Sequence, residues 1–153
     1  MTNPTPPMTL GRALGEASSR VQKLHRRATA DFDVDFPTWM LFQLLRENAS
    51  ALPEADITTE LNQRIDLTGP ETARLLERAL ADGFVTCDGE GPATSVAFTA
   101  AGSEHFAKVY AHARAVTDAA SAGIDQERIA VAISVLQTVL EQANQLLAQQ
   151  NSR

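Results

Sequence analysis

Residues 57–102 constrain the fold more than any other segment, because their hydrophobic period changes from that of a helix to that of a strand. The first part, residues 57–65 (ITTELNQRI), predicts a helix with Leu61 and Ile65 four positions apart on its buried face. Thr58 or Thr59 is the expected N-terminal cap of this helix. A polar break at residues 66–69 then ends the period, so a second helix must begin on a new axis.

A second helix is predicted over residues 70–82. Pro70 suits a first helical position, where no N–H is needed, and Thr68 or Gly69 is the expected cap. Glu71 lies in the first turn, where the helix dipole favours a negative charge. The inner face of this helix is predicted to hold Thr72, Leu75, Leu76, Ala79 and Leu80. The outer face is predicted to hold Glu71, Arg74, Glu77 and Arg78.

Beyond the second helix the pattern predicts two short strands, residues 84–86 and residues 95–99. The connecting residues DGEGPA are rich in glycine, which is typical of a hairpin tip. Helix, turn, helix and a two-stranded ribbon in this order form a winged helix-turn-helix. Gene regulation is therefore the leading functional hypothesis.

Three segments of the chain resemble the multiple-antibiotic-resistance regulator (MarR) family in order and spacing. Residues 36–45 (FPTWMLFQLL) look like the second helix of that family, and residues 72–85 (TARLLERALADGFV) look like its recognition helix and the turn into the wing. Residues 96–102 (VAFTAAG) resemble the returning wing strand and the Thr-x-x-Gly start of the next helix. With the flanking helices the resemblance spans nearly the whole chain. It implies a homodimeric DNA-binding regulator, with repression as the expected mode of action.

Long apolar stripes at both ends of the chain support a dimer independently. Apolar residues recur at steps of four and three in residues 10–32 and again in residues 129–147. One small winged helix cannot cover both stripes, so a second copy is the simplest cover; the alternative is that the two ends pair within one monomer. We therefore predict a mostly α fold with a small β-wing (α+β), in which long N- and C-terminal helices dimerise.

The predicted boundaries follow from these patterns. Residues 1–8 are expected to form a disordered leader, and residues 9–153 a single domain. Within that domain the winged-helix core spans about residues 36–102, with dimerisation helices at about residues 9–32 and 103–150.

Composition points away from several other classes of protein. The chain has 153 residues, of which 44% are hydrophobic, but it has no apolar run of membrane-spanning length. Its single cysteine excludes an internal disulfide framework, and we expect a cytoplasmic protein. No catalytic signature and no phosphate-binding glycine loop is present, so no enzyme activity and no cofactor is predicted.

Charge distribution is the main objection to DNA binding. The formal net charge is −6, and residues 31–90 hold four basic against thirteen acidic residues. Where family members usually carry an Asp-Arg pair at the wing, this chain has Glu90, Gly91 and Pro92. The predicted DNA-binding residues are Thr68, Glu71, Arg74, Arg78 and Arg64.

Three accounts of the charge deficit stay open. The protein binds one operator with modest affinity; or it has lost DNA binding and acts as a protein-interaction or ligand-binding module; or basic residues of the first helix approach the DNA backbone. The first account is favoured, because a dimer can concentrate a few arginines on one face.

The family resemblance also implies an effector crevice between the dimerisation helices and the winged domain. A small aromatic or anionic compound is the expected effector. The lining residues implied by the resemblance are His25, Trp39, Phe42, Phe106 and Tyr110.

Two further features have structural explanations that we favour over functional ones. The run from Asp31 to Phe36 (DFDVDF) is expected to form a helix end and a capping turn, because a calcium site needs more oxygen ligands. Cys87 is expected just after the first wing strand, and its acidic neighbours Asp88 and Glu90 disfavour a reactive thiolate. No metal site is predicted.

Overall fold

Six α-helices and three short strands make up the described part of the chain, residues 7–48 and 50–151 of a computed structural model. The elements are α1 (Leu10–Ala30), α2 (Phe36–Asn48), β1 (Leu52–Pro53), α3 (Glu54–Ile65), α4 (Gly69–Ala81), β2 (Val85–Asp88), β3 (Ser95–Phe98), α5 (Ala100–Ala119) and α6 (Gln126–Asn151). This is the predicted winged helix-turn-helix architecture, mostly helical with a small antiparallel wing. Of the leader predicted over residues 1–8, residues 1–6 lie outside the described part.

Two compact units divide the chain, Met1–Asp118 and Ala119–Arg153. The first contains the winged helix with α1 and nearly all of α5, and the second contains α6. In the described residues no helix combines the length and the apolar character needed to cross a membrane.

The sheet has three strands in the order β1-β3-β2, all antiparallel. Leu52 of β1 and Cys87 of β2 both lie opposite Val96 of the central strand. The predicted two-stranded ribbon corresponds to β2 and β3. The third strand, β1, was not predicted, because it is two residues long and ends in proline, too short to show any alternation. Cys87 lies within β2, not just after the strand.

Helix α3 begins at Glu54, three positions before the predicted start. Thr58 and Thr59 do not cap it; their hydroxyls donate to the carbonyls of Glu54 and Ala55, each at 3.0 Å. Such bonds to the preceding turn satisfy a threonine inside a helix. The acidic residues at the true N-terminus, Glu54 and Asp56, favour the earlier start through the helix dipole.

Phe42 is the centre of the hydrophobic core. Its ring is fully buried and packs against the rings of Phe84, Phe98 and Phe106 at centroid distances of 5.9, 5.4 and 5.6 Å. The surrounding aliphatic core comes from α2, α3, α4, the wing and α5, with Leu41, Leu44, Ile57, Leu61, Leu75, Leu76, Val85, Val96 and Val109 buried. The core therefore fixes the two helices of the helix-turn-helix against the wing.

The junction of wing and α5 explains the Thr-x-x-Gly pattern. Thr99 donates its hydroxyl to the carbonyl of Gly83 at 2.6 Å and accepts from the backbone N–H of Gly102 at 2.9 Å. A Cβ atom at Gly102 would overlap the carbonyl oxygen of Phe84. Only glycine lets α5 approach the wing this closely.

Several predicted apolar positions are exposed. Leu80, predicted on the inner face of α4, is 48% exposed. The buried residues of that helix are Thr72, Leu75, Leu76 and Ala79, and Leu80 lies outside the stripe that they form. On α1, Leu10, Val21 and Leu24 are exposed, and on α6 the residues Val131, Ile133, Leu136, Leu140 and Leu147 are exposed. Each unit therefore carries an apolar surface that its own helices leave open.

Candidate nucleic-acid interface

The N-terminus of α4 is held by a cap between Thr68 and Glu71. The backbone N–H and the hydroxyl of Thr68 both donate to Oε2 of Glu71, at 2.9 and 2.6 Å. These hydrogen bonds, and then the positive charge of Arg74, hold the pKa of Glu71 below its ordinary value. The structure thus brings two of the predicted DNA-binding residues together, and one oxygen of Glu71 is engaged in the cap.

The turn between α3 and α4 is also fixed by local bonds. Asp66 has a left-handed backbone (φ 55°), which Asp tolerates better than most residues, and its N–H donates to the carbonyl of Asn62 at 2.9 Å. The side-chain amide of Asn62 donates to the carbonyl of Leu67 at 3.1 Å. These bonds tie the turn before α4 to the end of α3.

Arg64, at the end of α3, is bound to two carboxylates. Its Nη1 lies 2.9 Å from Glu47 Oε2, and its Nε lies 3.0 Å from Glu60 Oε2. Although partial burial lowers the pKa of Arg64, the bonds to Glu47 and then Glu60 outweigh it and raise the pKa above its ordinary value. Most of the positive charge of this residue is therefore offset within the protein.

Arg74 and Arg78, one turn apart on α4, differ in their environments. Arg78 donates through Nη2 to Asp35 Oδ2 at 2.9 Å and to Thr38 Oγ1 at 3.0 Å. Arg74 is exposed and makes no hydrogen bond or ion pair with any described residue. Of the four arginines in residues 31–90, Arg74 has its guanidinium most available to an external partner.

Asp35 is the cap of α2. Its Oδ1 accepts from the backbone N–H of Thr38 at 2.9 Å and from the Thr38 hydroxyl at 2.6 Å. Partial burial raises the pKa of Asp35, but the bonds from Thr38 and the contact with Arg78 outweigh it, and the pKa lies below its ordinary value. The DFDVDF run therefore forms a helix end and a capping turn, as predicted, with Asp33 in the left-handed region (φ 55°).

The wing carries negative charge. Residues 84–99 contain Asp88 and Glu90 but no lysine or arginine. Burial, and then the charges of Glu54 and Asp88, raise the pKa of the Cys87 thiol. The tip is tight, since a Cβ atom at Gly89 (φ +100°) would lie 2.6 Å from the carbonyl oxygen of Ala93. A phosphate would find no cationic side chain on the wing.

The five residues that the family resemblance implies for an effector site form one contiguous aromatic cluster. Trp39 is its centre, with ring centroids 4.3 Å from His25, 5.3 Å from Phe106 and 6.0 Å from Tyr110, the last pair stacked at 4°. Phe42 joins through Phe106 at 5.6 Å. Trp39, Phe42 and Phe106 are buried, so their first role is in the core.

Two cavities flank this cluster. The larger, which we call the Tyr110 cavity, has a volume of about 590 Å³ and lies between α2, β3 and α5. Its walls include Arg46, Phe98, Thr99, Ser103, Phe106 and Tyr110. The smaller cavity, of about 250 Å³, is lined by α1 and α2 residues that include His25, Arg26 and Trp39. Phe42 lines neither of these two cavities.

Arg46 is a candidate effector contact that the sequence did not predict, although it was a possible contact for DNA. Its guanidinium carbon lies 3.8 Å from the centroid of the Tyr110 ring. Hydrogen bonding and the positive charge of Arg46, with a smaller contribution from Arg114, hold the pKa of Tyr110 below its ordinary value. The signal was present in the sequence, because Arg46 follows Trp39 by seven positions and shares its helical face.

The three histidines of the chain have structural surroundings. His25 stacks edge-on against Trp39, and burial lowers its pKa. Its Nε2 and that of His105 are buried without a hydrogen-bond partner among the described residues. His105 stacks on Phe84 at 4.5 Å, and His112 lies 4.0 Å from Asp31. In the described residues no three His, Cys, Asp or Glu side chains come together as metal ligands would.

Comparison with solved structures finds the same fold in several regulators. A MarR family protein from Bacillus stearothermophilus has 15% identity and a TM-score of 0.74, with 88% of this chain and 93% of that chain covered. Apo MarR from E. coli has 14% identity and a TM-score of 0.69, with 88% and 98% covered. NadR in complex with 4-hydroxyphenylacetate has 18% identity and a TM-score of 0.66, with 91% and 97% covered.

Comparisons of sequence alone add nothing to this likeness: no family model matches the chain, and no curated protein matches it. The structural matches confirm the resemblance to the MarR family at the level of the fold.

Proposed function

We propose that this chain, with its MarR-type winged-helix fold, is a DNA-binding transcriptional regulator that acts as a homodimeric repressor. In the proposed complex, α4 of each protomer enters one of two successive major grooves of a pseudo-palindromic operator. The observation that carries the proposal is Arg74, an exposed and unpaired arginine on the outer face of a capped recognition helix. No catalytic activity is proposed.

The five predicted DNA-binding residues enter this proposal with different weights. Arg74 is the principal contact, because no internal carboxylate bonds to it. Arg78 contributes through the N–H groups that Asp35 and Thr38 leave free. Arg64 has most of its charge offset by Glu47 and Glu60 and contributes less. Thr68 and Glu71 act first by fixing the start of α4, from which they approach the groove.

A second copy of the chain is the proposed cover for the exposed apolar stripes. On α6, Val131 is 64% exposed and Leu140 is 61% exposed. Covering exposed leucine and valine side chains stabilises an interface by about 25 cal/mol per Å² of apolar surface. Dimerisation is testable by sedimentation, with Leu140→Glu expected to shift the protein towards monomer.

The Tyr110 cavity is the proposed effector site, and the proposed ligand is a small aromatic anion. Its wall combines aromatic surface with the cation Arg46, which suits a ring that carries a carboxylate. The complex of NadR with 4-hydroxyphenylacetate gives a first compound to test. A ligand that prefers the DNA-incompetent arrangement would lower operator affinity by its differential affinity for the two states.

The decisive test of DNA binding is fluorescence anisotropy with DNA from upstream of the protein's own gene and with a scrambled duplex, across a salt series. Specific binding whose logarithm falls linearly with log salt supports the regulator. If the upstream DNA shows no preference, repeated selection from genomic fragments decides between a distant operator and lost DNA binding.

The effector is tested with the intrinsic fluorescence of Trp39, the only tryptophan of the chain, which stacks on Tyr110. Saturable quenching by 4-hydroxyphenylacetate that Arg46→Gln weakens would support the site. Quenching that is unchanged by Arg46→Gln would move the ligand elsewhere.

A second candidate function is a MarR-like dimer that has lost DNA binding and serves as a protein-interaction or ligand-binding module. Internal pairing of Arg64 and Arg78, together with the acidic wing, favours it. It predicts effector binding and dimerisation without enrichment of any DNA sequence in the selection experiment.

A further inference from the structure

The guanidinium of Arg78 is held on one side and open on the other. Both bonds to its neighbours are made by Nη2, which donates to Asp35 Oδ2 at 2.9 Å and to Thr38 Oγ1 at 3.0 Å. The Nε and Nη1 groups have no partner among the described residues. Asp35 and Thr38 also bond to each other at the cap of α2, so three side chains from two helices form one network.

We propose that Asp35 and Thr38 are positioning residues that orient Arg78 towards a phosphate of the operator. This inference rests on the proposed DNA-binding function. A long arginine side chain loses rotamer entropy when it is immobilised, and a side chain fixed before binding avoids that loss. The open N–H groups suit a phosphate, which guanidinium binds with paired hydrogen bonds.

If Asp35 acted only through its negative charge, its removal would be expected to raise the affinity for DNA, not to lower it. Asp33, Asp35 and Asp82 line the same small recess of about 100 Å³ beside the arginine. Removing any one of these carboxylates reduces the repulsion of DNA and should raise the affinity for every sequence. Only a positioning role makes the loss of Asp35 weaken operator binding, so the sign of the effect decides.

The variants are Asp35→Asn and, as a matched control, Asp82→Asn. Asparagine caps a helix as well as aspartate does, so α2 is kept, but the neutral amide bonds Arg78 more weakly than a carboxylate. Asp82→Asn removes the same charge from the same recess without touching a bond to Arg78. The probes are a duplex enriched by repeated selection with the wild-type protein and its scrambled counterpart.

We expect Asp35→Asn to lower affinity for the selected duplex and for the scrambled duplex alike, by about tenfold, because a phosphate contact carries no sequence information. Asp82→Asn should leave both affinities unchanged or raise them. In an Arg78→Ala background Asp35→Asn should lose its effect and behave like Asp82→Asn, and thermal unfolding should show that all variants are folded.

Two results would overturn the inference while the proposed function stands. Equal effects of Asp35→Asn and Asp82→Asn would reduce Asp35 to a surface charge. A larger gain in affinity for Asp35→Asn would show that Asp35 withholds Arg78 from DNA. If selection with the wild-type protein enriches no sequence, the proposed function itself fails, and the inference fails with it.

Discussion

Helix α1 and residues 31–90 differ in whether their basic side chains are paired within the protein. Residues 10–30 hold five basic residues and one acidic residue, and the side chains of Arg20, Lys23, Arg26 and Arg27 bond to no described residue. Residues 31–90 hold four arginines; Arg64 and Arg78 are bound to carboxylates, and Arg46 lies over the Tyr110 ring. Only Arg74 is left.

The difference shows that the count of charges and the number of available charges are separate properties. In the proposed complex, one unpaired arginine from the winged helix of each protomer neutralises few phosphates, so most of the discrimination between DNA sequences must come from base contacts and from geometry. The basic surface of α1 is available to an anionic partner but belongs to a helix with no place in the proposed groove contacts. Four experiments test this contrast.

Loss of Arg74 should have the largest effect. Arg74→Ala removes one base contact in each protomer, and each such contact is worth about 1–3 kcal/mol, so operator affinity should fall about a hundredfold. Arg20→Ala, the same change at an exposed position of α1, should have little effect. Anisotropy with the selected duplex measures both, and unchanged binding by Arg74→Ala would remove this residue from the interface.

Loss of Arg46 should shift the titration of Tyr110. Because Arg46 stabilises the phenolate, the wild-type phenol should ionise at a lower pH than in Arg46→Gln, where the pKa returns towards the ordinary value of about 10. Tyr110 is the only tyrosine, so ultraviolet absorbance during alkaline titration reports it alone. Coincident titration curves would show that Arg46 does not act on the ring.

The thiol of Cys87 should report the negative field of the wing. Burial, Glu54 and Asp88 raise its pKa, so the thiolate forms only at a pH above the usual range. Glu54→Gln should therefore move the pH profile of alkylation by iodoacetamide to lower pH by a fraction of a unit. As the only cysteine it gives an unambiguous readout, and an unmoved profile would assign the shift to burial and Asp88.

Neutralising α1 should have the smallest effect. Replacing Arg20, Lys23 and Arg27 by Gln should change operator affinity less than about threefold, because exposed charges beyond the Debye length of about 8 Å are largely screened. The salt dependence of binding should also stay the same. A shallower salt dependence would instead support contact between α1 and the DNA backbone.

Helix α4 could be predicted almost to the residue, because its boundaries are local. Thr68, Pro70 and Gly83 mark its ends, and its period fixes which side chains are buried; only Leu80 was misplaced. Strand β1 could not be predicted, since two residues carry no period, and α3 started earlier than the threonines suggested.

The pairing of the arginines lies beyond the sequence for a different reason. Arg78 and Asp35 are 43 positions apart, and Arg64 and Glu47 are 17 apart. No local pattern connects such residues; the packing of α2 against α3 and α4 does. The residues of the outer face of α4 were predicted correctly. The sequence did not show which of them form hydrogen bonds or ion pairs with other side chains of the protein.

Gly102 has a mechanical consequence. Backbone meets backbone where α5 passes the carbonyl of Phe84, and Thr99 ties the same point to Gly83 at the end of α4. Because Gly102 meets Phe84 through main-chain atoms, no side chain between them can change rotamer, and a displacement of the start of α5 is expected to move the wing and the end of α4 with it. The Tyr110 cavity borders that stretch of α5. A molecule bound in the cavity would therefore press on the part of α5 that is in direct contact with the wing.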